Sequence, residues 1–120
     1  MPRWSPNWED VRWDFQAATA AATALRRMSN ELERYSFERG DAGIAAVDGW
    51  LGPHRRDFDQ DFVAGLRELR FLATDCRQQA QTLLATNQRA RAEQQRRERE
   101  RDEWHRESAR ERARQTAGIP

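Results

Sequence analysis

Apolar residues recur at helical spacing in two long runs. In the first, Val11, Ala18, Leu25 and Leu32 are seven apart, and Phe15 and Ala22 follow at plus four. Ala21, Met28 and Tyr35 fill the neighbouring column. In the second, Phe62, Leu69, Cys76, Leu83 and Ala90 are again seven apart, with Leu66, Ala73 and Ala80 at plus four and Phe58 extending the stripe backwards. Each run predicts an amphipathic helix whose period is close to a coiled-coil heptad.

Punctuation sets the expected boundaries. Ser5 and Asn7 are capping residue types, Pro6 suits a first helical position, and Glu9 and Asp10 suit the positive end of the helix dipole. A helix over about 8–38 is therefore expected. Gly40, Gly43, Gly49, Gly52 and Pro53 then cluster. They predict a glycine-rich turn over about 39–52, with a short helical turn at Ile44–Val47 inside it, and a second helix from about 53. Two amphipathic helices around one break predict an all-α, antiparallel helical hairpin. Folding back about the glycine patch places Leu32 near Phe58, Leu25 near Leu66, Ala18 near Ala73 and Val11 near Ala80.

The hairpin is expected to occupy 1–92. Beyond Leu84 the large apolar side chains are Trp104 and Ile119, and residues 93–120 are expected to form a charged extension, helical or frayed. Glu93 with Arg97 stands at the i, i+4 spacing of a helix-stabilising ion pair, and Glu98 with Arg101 at i, i+3. One stripe per helix leaves Met28, Tyr35, Phe71 and Leu72 without cover, which a second hairpin would provide. A dimeric four-helix bundle is thus expected, packed through Val11, Phe15, Leu25, Met28, Leu32, Phe58, Phe62, Leu66, Leu69, Cys76 and Leu83.

Composition narrows the chemistry. Hydrophobic residues are 38% and charged residues 34% of the 120, and the net charge is +1. No run of about 18 apolar residues exists to span a membrane. The opening MPRWSPNWED has no apolar core, so a cleavable signal peptide is not expected. The single cysteine has no internal disulfide partner. His54 and Cys76 fall on one helix, about 33 Å apart at 1.5 Å per residue, far beyond nucleophile–base reach. His54 and His105 are further apart still, and His54, Asp57 and Asp61 read as a solvated helix start. No phosphate-binding glycine loop occurs. Neither catalysis nor a metal or other cofactor is expected. From Arg77 onward there are 11 Arg and 7 acids. The interleaved acids and the absence of an aromatic ladder weigh against nucleic acid as the partner.

Trp50-Leu51-Gly52 lies between the two runs, where a glycine permits a tight reversal beside a bulky ring. With this motif, its paired heptad helices and the segment GWLGPHRRDFDQDF, the sequence resembles the Trp-X-Gly (WXG) family of small helical hairpins, the ESAT-like substrates of type VII secretion systems. The resemblance covers about Trp8 to Ala92, and the Lys-free, Arg- and Ala-rich composition suits the actinobacteria where the family abounds. It implies a homo- or heterodimeric bundle, pairing with a larger secreted effector, and export from the cytoplasm without a cleaved signal. It also implies that Trp50 and Gly52 are read by the secretion ATPase or a partner. The family's C-terminal signal, a Tyr with an acid four residues on, has here only a degenerate counterpart in Trp104 and Glu107. The alternative expectation is an intracellular coiled-coil adaptor whose Arg-rich extension binds a protein or nucleic acid.

Overall fold

The structure, a computed structural model, describes residues 2–118. It is all-α: helix α1 spans Phe15–Ala46 (32 residues) and helix α2 spans Pro53–Ala117 (65 residues). Among the described residues there is no strand. The chain divides into two compact units. One is the hairpin Gln16–Leu84. The other joins the N-terminal segment through Phe15 to α2 from Ala85 onward.

In the hairpin, α1 and α2 meet through a seam of small side chains. Ala18, Ala22, Ser29 and Ser36 of α1 are buried, as are Ala73 and Ala80 of α2. On α1 these residues follow the i, i+4, i+7 recurrence of one helical face. Their small size lets the two backbones approach closely. Phe62 and Leu66, expected at the centre of the packing, lie in the seam opposite Gly43 and Gly40. Leu25, Leu32, Leu69, Cys76 and Leu83, expected there too, flank it, and all of these are only partly buried. Cys76 is free and half-covered. Ser29 is 1% exposed, and its hydroxyl has no hydrogen-bond partner among the described residues. A buried unsatisfied hydroxyl costs about 1–3 kcal/mol. Ser29→Ala should therefore raise the urea midpoint, with a gain of about 1 kcal/mol before any loss of contact.

The glycine patch is not the turn the sequence suggested. Helix α1 runs straight through Gly40 and Gly43 to Ala46, beyond the expected end near residue 38. A Cβ on Gly43 would fall 2.3 Å from Cζ of Phe62, so the glycine there makes room for a ring of the opposing helix. Close approach, not chain reversal, explains that residue. Gly40 faces Leu66. The register is consequently shifted by about four helical turns from the expected one: Leu66 meets Gly40, not Leu25. The Glu33–Arg77 ion pair lies in the same new register.

The N-terminal segment is the second correction. Residues expected to begin helix one from about 8 are not helical; α1 starts at Phe15, directly after Asp14, a favoured capping type. The preceding residues form a strap antiparallel to α2. Trp4 reaches Glu107, Val11 reaches Gln94, and Trp13 reaches Asn87. Val11 therefore meets Gln94, not Ala80. From Trp4 to Trp13 the strap advances nine residues while α2 recedes twenty. At about 3.3 Å per extended residue and 1.5 Å per helical residue, both distances are about 30 Å. The strap is extended because only an extended chain keeps pace with that much helix. The expected charged extension is helical to Ala117, and the strap lies along it as far as Glu107.

Candidate functional site

The turn between the helices is Val47–Gly52. Gly49 (φ 76°) and Gly52 (φ 108°) both occupy backbone conformations that L side chains rarely adopt. Gly49 follows the last turn of α1 as a left-handed C-terminal glycine commonly does. The Trp50 amide donates to the Val47 carbonyl at 2.9 Å. Val47, the first residue of the turn, is buried, and Trp50 is half-exposed with its ring 6.2 Å from Phe58. Phe58 in turn stacks on Phe62 at 5.4 Å. Trp50 thus begins an aromatic column that ends against Gly43.

Arg55 locks this turn. Its guanidinium donates to the carbonyls of Val47 (2.6 Å) and Trp50 (2.9 Å) while its Nε donates to Asp59 (3.0 Å). It satisfies carbonyls that the end of α1 and the reversal leave without helical partners. Sequence reading overlooked Arg55 because an Arg in a first helical turn, facing an unfavourable dipole, looks merely solvated. The Arg55–Asp59 spacing of four was the available signal.

Between Trp50 and Gly52, Leu51 is 88% exposed, the most exposed large apolar side chain in the described protein. Phe37, Ile44 and Val63 are also exposed. At 100° per residue they share one side of the hairpin near its turn.

The same phase argument divides the rest of the hairpin. Glu33 and Arg77 pair across the seam and so mark one side. Leu25, Met28, Leu32 and Tyr35 lie on the other side of α1, and Leu69, Leu72, Cys76 and Leu83 on the other side of α2. Met28, Tyr35 and Leu72 on this second side are each about half-exposed. The side bearing Met28, Tyr35 and Leu72 is apolar, and the Glu33–Arg77 side carries the exposed Phe37, Ile44 and Val63 nearer the turn. A shallow groove of about 570 Å³ adjoins the apolar side, lined by Glu68, Phe71, Leu72, Thr74, Asp75 and Gln78.

In the second unit, α2 presents hydrogen-bonding side chains to the strap backbone. Arg101 donates to the carbonyls of Asn7 and Glu9, and Arg97 also donates to Glu9. Gln94 accepts from the Val11 amide at 2.8 Å. Asp10 takes hydrogen bonds from Gln94 and Arg101, which hold its carboxyl below the ordinary value of 3.8. Glu93, bonded first by Arg96 and then by Arg97, is held down to about 2. Both depressed acids contribute to folding above their ordinary values and lose that contribution as pH falls through the folded ones. Trp104 and Glu107, the expected degenerate signal, both engage Trp4. The Trp104 indole donates to the Trp4 carbonyl, and the Trp4 indole donates to the Glu107 carboxylate. Trp8 packs edge-on against Trp104 at 5.3 Å. Phe15 receives the Arg91 guanidinium 5.5 Å above its ring.

Among the described residues no helix is long and apolar enough to cross a membrane, and no group of three or more His, Cys, Asp or Glu is placed to hold a metal ion. No protein-family model, curated protein or solved structure matches the chain.

Proposed function

We propose that this chain is a WXG-like partner protein of a type VII secretion system, a non-enzymatic hairpin that pairs with a second helical hairpin or a larger secreted effector. The observation that carries the reading is the turn. Trp50 and Leu51 stand exposed at the reversal, held by Arg55 and by two glycines with positive φ. Exposed apolar side chains on a rigid turn suit recognition by another protein. The apolar side around Met28, Tyr35 and Leu72 is the surface on which the partner hairpin seats, completing a four-helix bundle. Export in this reading proceeds from the cytoplasm through the secretion ATPase, which reads Trp50 and Gly52, with Trp104 and Glu107 as the remnant of a C-terminal signal.

The test is co-purification of the native complex with mass spectrometry, alongside secretion assayed by fractionation. Leu51→Ser removes an exposed side chain and leaves the fold unaltered. It should reduce partner recovery or the secreted fraction at least fivefold, equivalent to about 1 kcal/mol, with an unchanged circular-dichroism spectrum. Trp50→Ala should act in the same direction and more strongly. Wild-type recovery for both variants would sink the assigned role of the turn. A monomeric mass by light scattering for the purified native material would remove the pairing.

The continuous helical extension, whose Arg side chains face another segment, favours one further reading: an intracellular adaptor that docks a partner on α2. Binding to nucleic acid in that reading would weaken steeply with salt.

A further inference from the structure

The strap and its seat on α2 have the layout of a peptide and its receptor. Many of the hydrogen bonds between them join α2 side chains to strap backbone. Arg101 bonds the Asn7 and Glu9 carbonyls, Arg97 the Glu9 carbonyl, Gln94 the Val11 amide and Trp104 the Trp4 carbonyl. Such contacts recognise an extended backbone of many sequences. Selectivity comes from two further features. Tryptophan rings sit at the ends and middle, with Trp13 on Asn87, Trp8 on Trp104 and Trp4 on Glu107. Between them the acidic Glu9-Asp10 pair meets the two arginines, and Asp10 bonds both Gln94 and Arg101.

The hold is also shallow. Trp8 is 49% exposed, and the Asp10 side chain 74%. Within the strap itself the Glu9 amide donates to the Asn7 side chain and the Ser5 hydroxyl reaches the Pro6 carbonyl at a long 3.5 Å. A segment tied mainly by hydrogen bonds, exposed or part-buried, with Pro6 alone buried among residues 4–13, opens at a fraction of the free energy of global unfolding.

We propose that the α2 surface from Asn87 to Glu107 is a docking groove for an extended peptide bearing tryptophans around an acidic pair, and that the chain's own residues 4–13 occupy it in cis until a partner segment of that chemistry displaces them. The occupant is argued from the one already seated there and from the complementarity of Arg97 and Arg101 to the acids. The tether gives the cis strap an effective concentration in the millimolar range, so a trans segment competes only when it binds well or when the strap is weakened. This inference is argued from the strap contacts and does not rest on the secretion reading, although the groove shares Trp104 and Glu107 with it; the Trp50 turn belongs to the other compact unit.

The experiment is a titration of the full-length chain into a dye-labelled synthetic peptide with the sequence of residues 2–14, followed by fluorescence anisotropy. The wild-type chain should bind weakly. Trp8→Ala, which loosens the strap and leaves the groove whole, should bind the peptide about tenfold more tightly, the loss of an aromatic pair and of half-buried ring area. Asp10→Asn, a change on a largely exposed carboxylate, should tighten binding about threefold, the size of an exposed ion pair. Adding Arg97→Ala and Arg101→Ala to Trp8→Ala should abolish the gain. Equal affinity for the wild type and both strap variants would overturn the proposal, as would a gain that survives loss of the two arginines. Asp10→Asn keeps the test decisive if Trp8→Ala loses helix.

Discussion

Gly43→Ala should destabilise the protein, whereas Gly65→Ala should stabilise it, although both glycines lie inside helices. Alanine is favoured over glycine in a helix interior by about 1 kcal/mol. At Gly65 nothing lies within 4 Å of the added Cβ, so that gain is realised. At Gly43 the Cβ would stand 2.3, 2.5 and 2.9 Å from three atoms of the Phe62 ring. The ring is not free to swing away, because it stacks on Phe58, which contacts Trp50. Overpacking of this kind costs about 1–3 kcal/mol and outweighs the propensity gain. The two variants should differ by about 2 kcal/mol in urea unfolding, with opposite signs relative to wild type. Gly40→Ala, with Leu66 Cδ1 at an ordinary 3.8 Å, should side with Gly65. Stabilisation by Gly43→Ala would mean that Phe62 yields without cost and that the close approach of the helices is not what selects glycine there.

Ala80→Leu should produce a second large loss. Ala80 is 0% exposed and Ala73 1%, in a seam whose α1 side consists of Ala18, Ala22, Ser29 and Ser36. No leucine rotamer fits between such closely spaced backbones without moving a helix. The expected loss is about 2 kcal/mol, or on the order of 10 °C in the melting temperature of a small domain. Ala21→Leu is the matched control. Ala21 is exposed, so the same added atoms should change stability by less than about 0.5 kcal/mol. A similar melting temperature for both would refute a tightly packed small-residue seam.

These variants bear on what was legible in the sequence. The two stripes announced two helices and a hairpin, since a 3.6-residue period needs no tertiary information to recognise. The seam was harder. Heptad counting centred the packing on Leu25 and Leu32, yet the buried column passes through Ser29 and Ser36, because close approach favours small side chains over large ones. The end of α1 was misplaced for a related reason. A glycine inside a helix resembles a breaker until the ring that fills its space is known, and Phe62 lies in the other helix. The strap was illegible in a different way. Ser5, Pro6, Asn7, Glu9 and Asp10 satisfy every local rule for a helix start, and the surface that overrides those rules exists only once α2 has formed to Glu107. Trp4 and Trp8 even continue the Val11 stripe backwards at heptad spacing, and Trp13, off that stripe, was the one trace it left. Trp50 and Gly52 were found from their position, whereas Arg55, which holds their turn, has no signature beyond its spacing to Asp59.

The unequal pace of strap and helix has a consequence for how this chain can vary. Each extended residue covers a little over two residues of helix. Deleting two strap residues would withdraw its free end by about 7 Å, more than one full turn of α2, and would part Trp4 from Trp104 and Glu107. Restoring the match requires removing four or five residues of helix, and only removals near a whole number of turns keep Arg97 and Arg101 aimed at the strap. The N-terminal segment is thus matched in length to the Asn87–Glu107 stretch of α2. Within that stretch the two lengths keep their contacts only when they change together, at about two helical residues for each residue of strap.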